Sequence, residues 1–144
     1  MTAPVFVDSN VLLYALDNAD PSKQRAAQQW RAVLWKSRMG RVSFQVLNEF
    51  YVNALRLRPD ASDEARDEVR DLLAWHPIIT DATLLELGWK FQDRYRLAYW
   101  DSLIVAASKA ASCRFLLTED LQAGQTLDGI KVINPFLTNP EDLS

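Results

Sequence analysis

The segment Val5-Phe6-Val7-Asp8-Ser9-Asn10-Val11-Leu12 decides how the chain is read. Three consecutive β-favouring apolar residues give way, at Asp8, to apolar positions at Val11, Leu12, Ala15 and Leu16, the spacing of a helix. That is strand, turn, helix, with an acid at the carboxyl end of the strand. The same grammar recurs near the other end, where Arg114-Phe115-Leu116-Leu117-Thr118 reads as a strand ending at Glu119-Asp120. Ala98 to Ala111 is apolar almost all round, which predicts a central buried helix with Asp101 near its start.

The segments between follow. Asp20-Pro21 predicts a helix start, with Asp as N-cap and Pro at the first helical position, continuing past Trp30 and Leu34 to a stop at Gly40. Arg41-Val42-Ser43 reads as a short strand, and Ser43 caps a helix that carries Glu49 and ends before Pro59. Ser62 to Leu73 is a charged helix, Pro77-Ile78-Ile79-Thr80 a strand, and Asp81 the cap of a further helix. A glycine-containing loop leads to the last strand, Ile130-Lys131-Val132-Ile133, closed by Asn134-Pro135. The polar stretch 136–144 is expected to fray. Strands alternating with helices imply an α/β sandwich around a mostly parallel sheet. In such sheets ligands bind beyond the carboxyl ends of the strands, where Asp8 and Asp120 are placed.

A chain of 144 residues is the size of one domain, so 1–144 is read as a single unit with one site. No apolar run approaches the ~20 residues of a membrane span. The N-terminal Met1-Thr2-Ala3-Pro4 lacks the basic and apolar segments of an export signal, so a cytoplasmic address without membrane attachment is expected. A single cysteine, Cys113, rules out an internal disulfide and a cysteine-cluster zinc site. The net charge of −3 argues against gripping nucleic acid by bulk positive charge, but setting Asp8, Glu49, Asp101 and Asp120 aside leaves the rest of the chain at +1.

Taken singly, these acids have ordinary explanations. Asp8 and Asp101 can be helix caps, Glu119 and Asp120 turn formers, and Asn10 the donor of a local turn bond. Glu49 shares a polar stripe with Gln45, Asn53 and Arg56 and reads as a solvated helix face. The set says more. Acids at two strand ends and one buried helix start open onto the same sheet edge, where crowded carboxylates repel one another unless hard cations lie between them.

Four stretches carry a resemblance: Phe6-Val7-Asp8-Ser9-Asn10, Ser43-Phe44-Gln45-Val46-Leu47-Asn48-Glu49, Tyr99-Trp100-Asp101-Ser102-Leu103-Ile104-Val105-Ala106-Ala107, and Leu117-Thr118-Glu119-Asp120-Leu121. In order and spacing they resemble the four acidic motifs of PIN domains, over roughly residue 4 to Phe136, and most of all those of VapC-type toxins. The resemblance implies a three-layer PIN-like (5′-nuclease-like) α/β sandwich with a five-stranded parallel sheet in 3-2-1-4-5 order. It also implies two Mg²⁺ or Mn²⁺ ions, a homodimer, an RNA substrate cut to 5′-phosphate and 3′-hydroxyl ends, and a small cognate antitoxin protein. By position, Asp8, Glu49, Asp101 and Asp120 match the acidic quartet, metal-binding and catalytic. Asn10 and Thr118 match polar neighbours, and Glu119 competes with Asp120 for the fourth place, which the family register gives to Asp120. Apolar residues of the first two helices, Leu12, Leu13, Leu16, Trp30, Val33 and Leu34, are candidates to line an antitoxin groove. The alternative is a PIN-fold protein that is not a toxin: an RNA-processing nuclease or a non-catalytic RNA- or protein-binding module.

Rival chemistries lack their parts. His76 is the one histidine, which excludes a paired-histidine ribonuclease in one subunit. No nucleophile elbow or glycine-rich phosphate loop is present. Asn10 stands where a HAD-type phosphatase needs a second aspartate. Lys36, Arg38, Arg41, Arg56, Arg58, Arg94 and Arg96 are candidate phosphate contacts, and the five tryptophans are core residues or base-stacking platforms.

Overall fold

The computed structural model describes residues 1–143. The strand predicted at the outset forms as β1 (Val5–Val7), buried throughout, and α1 (Ser9–Leu16) follows at once. Asp20 caps α2 (Pro21–Ser37) by accepting from Lys23 N, as the Asp-Pro pair predicts. The helix closes on Arg38 in the left-handed conformation, before β2 (Gly40–Arg41). Gly40 does not end the helix; it lies under an indole, and a Cβ there would sit 2.7 Å from Trp75.

Ser43 caps α3 (Phe44–Leu57) through Val46 N. Then come α4 (Ser62–Leu72), a 3₁₀ turn (Leu73–Trp75), α5 (Ala82–Tyr95) capped by Asp81, and α6 (Tyr99–Ala110). In α6, Ser102 through Ser108 are all buried, the central helix that the apolar pattern predicts. The chain finishes with β3 (Phe115–Leu117), β4 (Thr126–Leu127), β5 (Ile130–Ile133) and a 3₁₀ turn (Pro140–Leu143).

The sheet order is β2-β1-β3-β5-β4, with β1 between β2 and β3 and every pairing parallel except β4 with β5. The five-stranded sheet is present, but its members differ from the expected set. Pro77–Thr80 contributes one parallel bridge, Ser43 to Ile78, rather than a strand. The fifth strand is instead β4, within the segment expected to be a glycine-containing loop. Asp128 and Gly129 both take positive φ between β4 and β5, the two-residue turn that suits the twist of a hairpin.

The expected fraying of 136–144 does not occur over the described part. Trp30 Nε1 donates to the carbonyls of Pro135 and Thr138, Phe136 packs against the core and Pro140 is buried. The reason is a buried indole N–H that needs an acceptor and finds it in this segment; Ser144 lies outside the described residues. Of the candidate groove residues, Trp30 and Leu34 are core residues, whereas Leu12 and Leu16 line an open cleft. Among the described residues, no helix is long and apolar enough to cross a membrane.

Candidate active site

The parallel register sets the geometry. Val7 pairs with Leu117, so the residues that follow, Asp8 and Thr118, emerge side by side at the carboxyl edge of the two central strands. Asp8 N donates to Leu117 O, which extends the ladder by one step and turns the chain into α1. The Asp8 side chain is 6% exposed and has two sets of partners. Oδ1 accepts from Ser9 N at 2.7 Å, which is its capping role, and Oδ2 accepts from Thr118 Oγ1 at 2.8 Å.

Thr118, itself fully buried, uses all of its hydrogen-bonding capacity. Its one proton goes to Asp8, while its oxygen accepts from Asn10 Nδ2 at 3.0 Å and from Asp120 N at 3.1 Å. Asn10 also donates to Asp120 Oδ2 at 3.1 Å and, more weakly, to Asp8 Oδ2, and its carbonyl faces Glu119 N. Asp8, Asn10, Thr118 and Asp120 therefore form one connected network over the sheet edge.

Glu49 reaches the same region from α3. Its Oε1 accepts from Gln45 Nε2 at 3.0 Å, one helical turn earlier. Gln45 donates at 3.3 Å to Trp100 O as well, which ties α3 to the start of α6 beside Asp101. The helix face that reads as solvated is in fact turned toward the sheet edge. Gln45 was legible only as part of that stripe, although an amide four residues before an acid is a signal of support.

The charges of the acids act on one another. Burial pushes Asp8 from 3.8 up to about 6, and the charges of Asp120 and Glu49 push the same way. Burial also raises Glu49, with Asp101 and Asp120 adding repulsion, and raises Asp101, with Asp120 adding again. None of the ion pairs among the described residues involves any of the four.

Glu119 faces elsewhere. Its burial works against ionisation, but hydrogen bonds from Lys23 and Tyr14 outweigh this and hold it below the usual carboxylate range. Lys23 Nζ is 2.9 Å from Glu119 Oε2 and lies over the rings of both Tyr14 and Phe136. This clamp, absent from the sequence reading, points Glu119 away from the quartet. Of the candidate phosphate contacts, Arg58 and Arg94 are engaged with Glu64 and Asp128, and Arg41 bonds the carbonyls of Arg38 and Gly40. His76 is exposed at the end of the 3₁₀ turn and is no part of the cluster.

The donor set is all oxygen and all anionic, which suits a hard divalent cation. Among the described residues no three carboxylates close on one point as a ready cage.

The family model for the PIN domain matches residues 5–126, and the chain belongs to that family. Solved structures agree in fold. A toxin–antitoxin complex from Klebsiella pneumoniae superposes with a TM-score of 0.65 at 17% identity, covering 91% of this chain and 97% of that one. VapC20 of Mycobacterium tuberculosis, a toxin that cleaves the sarcin–ricin loop, gives 0.61 at 19% identity, covering 78% and 86%. VapBC2 from Rickettsia felis, bound to a DNA fragment from its promoter, gives 0.58 at 12% identity, covering 89% and 96%. No curated protein matches the chain.

Proposed function

We propose that this protein is a divalent-metal-dependent endoribonuclease and the toxin of a type II toxin–antitoxin pair. What supports the nuclease reading is the placement of Asp8 and Asp120 just beyond adjacent strand ends, together with the mutual repulsion that, added to burial, raises Asp8, Glu49 and Asp101. These four are the residues that would hold Mg²⁺ or Mn²⁺. Bound there, the metal would supply Lewis acidity toward a phosphodiester.

The chain's own residues supply orientation. Thr118 and Ser9 N fix both oxygens of Asp8, Asn10 fixes Asp120, and Gln45 fixes Glu49. Fixed ligands need less reorganisation when substrate arrives, which is where such outer hydrogen bonds act. Exclusion of bulk solvent is greatest at Asp8 and least at Asp120, so substrate would enter from the Asp120 side.

The toxin reading rests on the resemblance to VapC-type toxins and on the fold shared with toxin–antitoxin structures. Between α1, α2, α3 and α4 lies a cleft of about 580 Å³, lined by Leu12, Ala15, Leu16 and Phe50, by Arg31, and by acids including Glu64 and Asp67. An apolar antitoxin segment would suit it, since its acids are already paired with Arg58, Arg70 and Arg31. A homodimer and a cytoplasmic setting belong to the same reading.

The test is incubation of purified protein with cellular RNA, with Mg²⁺ or with EDTA, alongside Asp101→Asn. Metal-dependent cleavage that the variant lacks is expected, with 5′-phosphate ends on the products. Intact RNA would refute the nuclease. Growth arrest on induction, relieved by co-expressing the adjacent open reading frame, tests the toxin separately.

A further inference from the structure

Beside the acids is a second cleft, of about 750 Å³, and Glu49 lines both. Its other walls are unlike the acidic edge. Trp100, Phe44 and Ile79 are all exposed, Trp100 to 64%, although each is a large apolar side chain. Gln45, Asn48 and Thr80 supply amide and hydroxyl groups between them, and Glu49 is the only charged residue in the lining. The indole is braced rather than loose. Tyr99 meets it edge-on at 5.2 Å, and the carbonyl of Trp100 is held by the same Gln45 amide that holds Glu49.

This lining suits one class of ligand. A phosphate would find no cation here and one repelling carboxylate. A flat, uncharged ring with hydrogen-bonding edges would find an aromatic plate and three polar groups. Its volume lies within the ~300–1,000 Å³ typical of small-ligand pockets. Bases that are not paired in a duplex are recognised by aromatic stacking combined with amide contacts to their edges.

We propose that this cleft is a nucleobase subsite, in which Trp100 stacks on an unpaired base next to the phosphodiester held at the acids. The proposal rests on the nuclease reading above. Gln45 then serves two neighbouring positions at once, fixing Glu49 on the phosphate side and the Trp100 backbone on the base side. The subsite would make the enzyme prefer single-stranded or looped RNA, since a stacked and paired base is not free to enter.

The experiment is equilibrium binding of the full chain, in Ca²⁺ to suppress cleavage, to a short mixed-sequence oligoribonucleotide and to a matched strand with abasic sugars. Wild type should prefer the base-bearing strand by roughly tenfold, the scale of one stacked base. Trp100→Ala should lose that preference with its affinity for the abasic strand unchanged, and Trp100→Phe should keep most of it. An unaltered preference in Trp100→Ala would overturn the subsite while leaving the nuclease reading intact. So would equal loss of both affinities with a change of oligomeric state by light scattering, which would make the cleft an interface between copies. Wild-type protein that binds neither strand would overturn both readings.

Discussion

Asn10 Nδ2 lies 3.1 Å from Asp120 Oδ2, although the two residues are 110 positions apart. One amide at the start of α1 thus fixes the turn that follows β3, through Thr118, Glu119 N and Asp120 together. Asn10→Ala should leave the fold intact, since Asn10 is no core residue, and lower cleavage by about 10–100-fold, as loss of an outer partner of a metal ligand does. The loss should shrink as Mg²⁺ is raised, which a titration of rate against metal concentration would reveal. A rate equal to wild type at limiting Mg²⁺ would exclude this role.

Asp8→Asn and Asp101→Asn should each abolish cleavage, a larger effect than at Asn10. Neither should unfold the protein, because each removes repulsion along with a charge. Circular dichroism melts in EDTA should show a Tm equal to or above that of wild type. Retained activity in both variants would refute the assignment of these acids.

The metal-free protein should become less stable as pH rises across its acid range. Asp8 has a folded value of about 6 against an ordinary 3.8. Below 3.8 both folded and unfolded chains hold the proton. Between 3.8 and about 6 the folded chain keeps the proton that the unfolded chain releases, so stability falls through that window and stays low above it. The loss at Asp8 is of order 3 kcal/mol, with Glu49 and Asp101 shifted the same way. Urea midpoints in EDTA at several pH values should show a steeper fall for wild type than for Asp8→Asn. Mg²⁺ should recover stability at neutral pH in wild type alone.

Asp120→Asn should cost far more activity than Glu119→Gln. Asp120 bonds Asn10 and repels the other acids, whereas Glu119 is engaged by Lys23 and Tyr14. Side-by-side rates at saturating Mg²⁺ would show the ranking, and a reversed order would mean that the strand end is misread.

Local chemistry made much of this fold legible. Asp20, Ser43 and Asp81 each cap the helix that their position predicts, and the apolar stretch Ala98 to Ala111 is a helix whose middle, Ser102 to Ser108, is buried while Trp100 is exposed. Three segments depart from their local reading, one of them the stretch after Pro135 that Trp30 holds. Pro77–Thr80 looks like a strand by composition, yet Ile79 is 66% exposed and only Ile78 pairs. Asp128-Gly129 is a hairpin signal, and its positive φ values make a two-residue turn inside what composition alone reads as a glycine loop. The site divides the same way. Asp8 and Asp120 follow from strand ends, but nothing local separates Glu49 from a solvated glutamate; its place depends on how α3 packs against the sheet. The Lys23 clamp on Glu119 joins residues 96 positions apart and leaves no trace in either neighbourhood.

The two central strands come from opposite ends of the described chain, with Val5 in register with Phe115. Contacts of such long range are costly to close and form late, so folding is expected to be slow and its final step cooperative. The first and last acids of the quartet follow just beyond the ends of those strands, and a partly folded chain therefore has no site at all. Under the toxin reading proposed above, selection against activity would fall on the whole central ladder, and survivors of forced expression should carry lesions at Phe6 or Leu116 as readily as at the acids themselves.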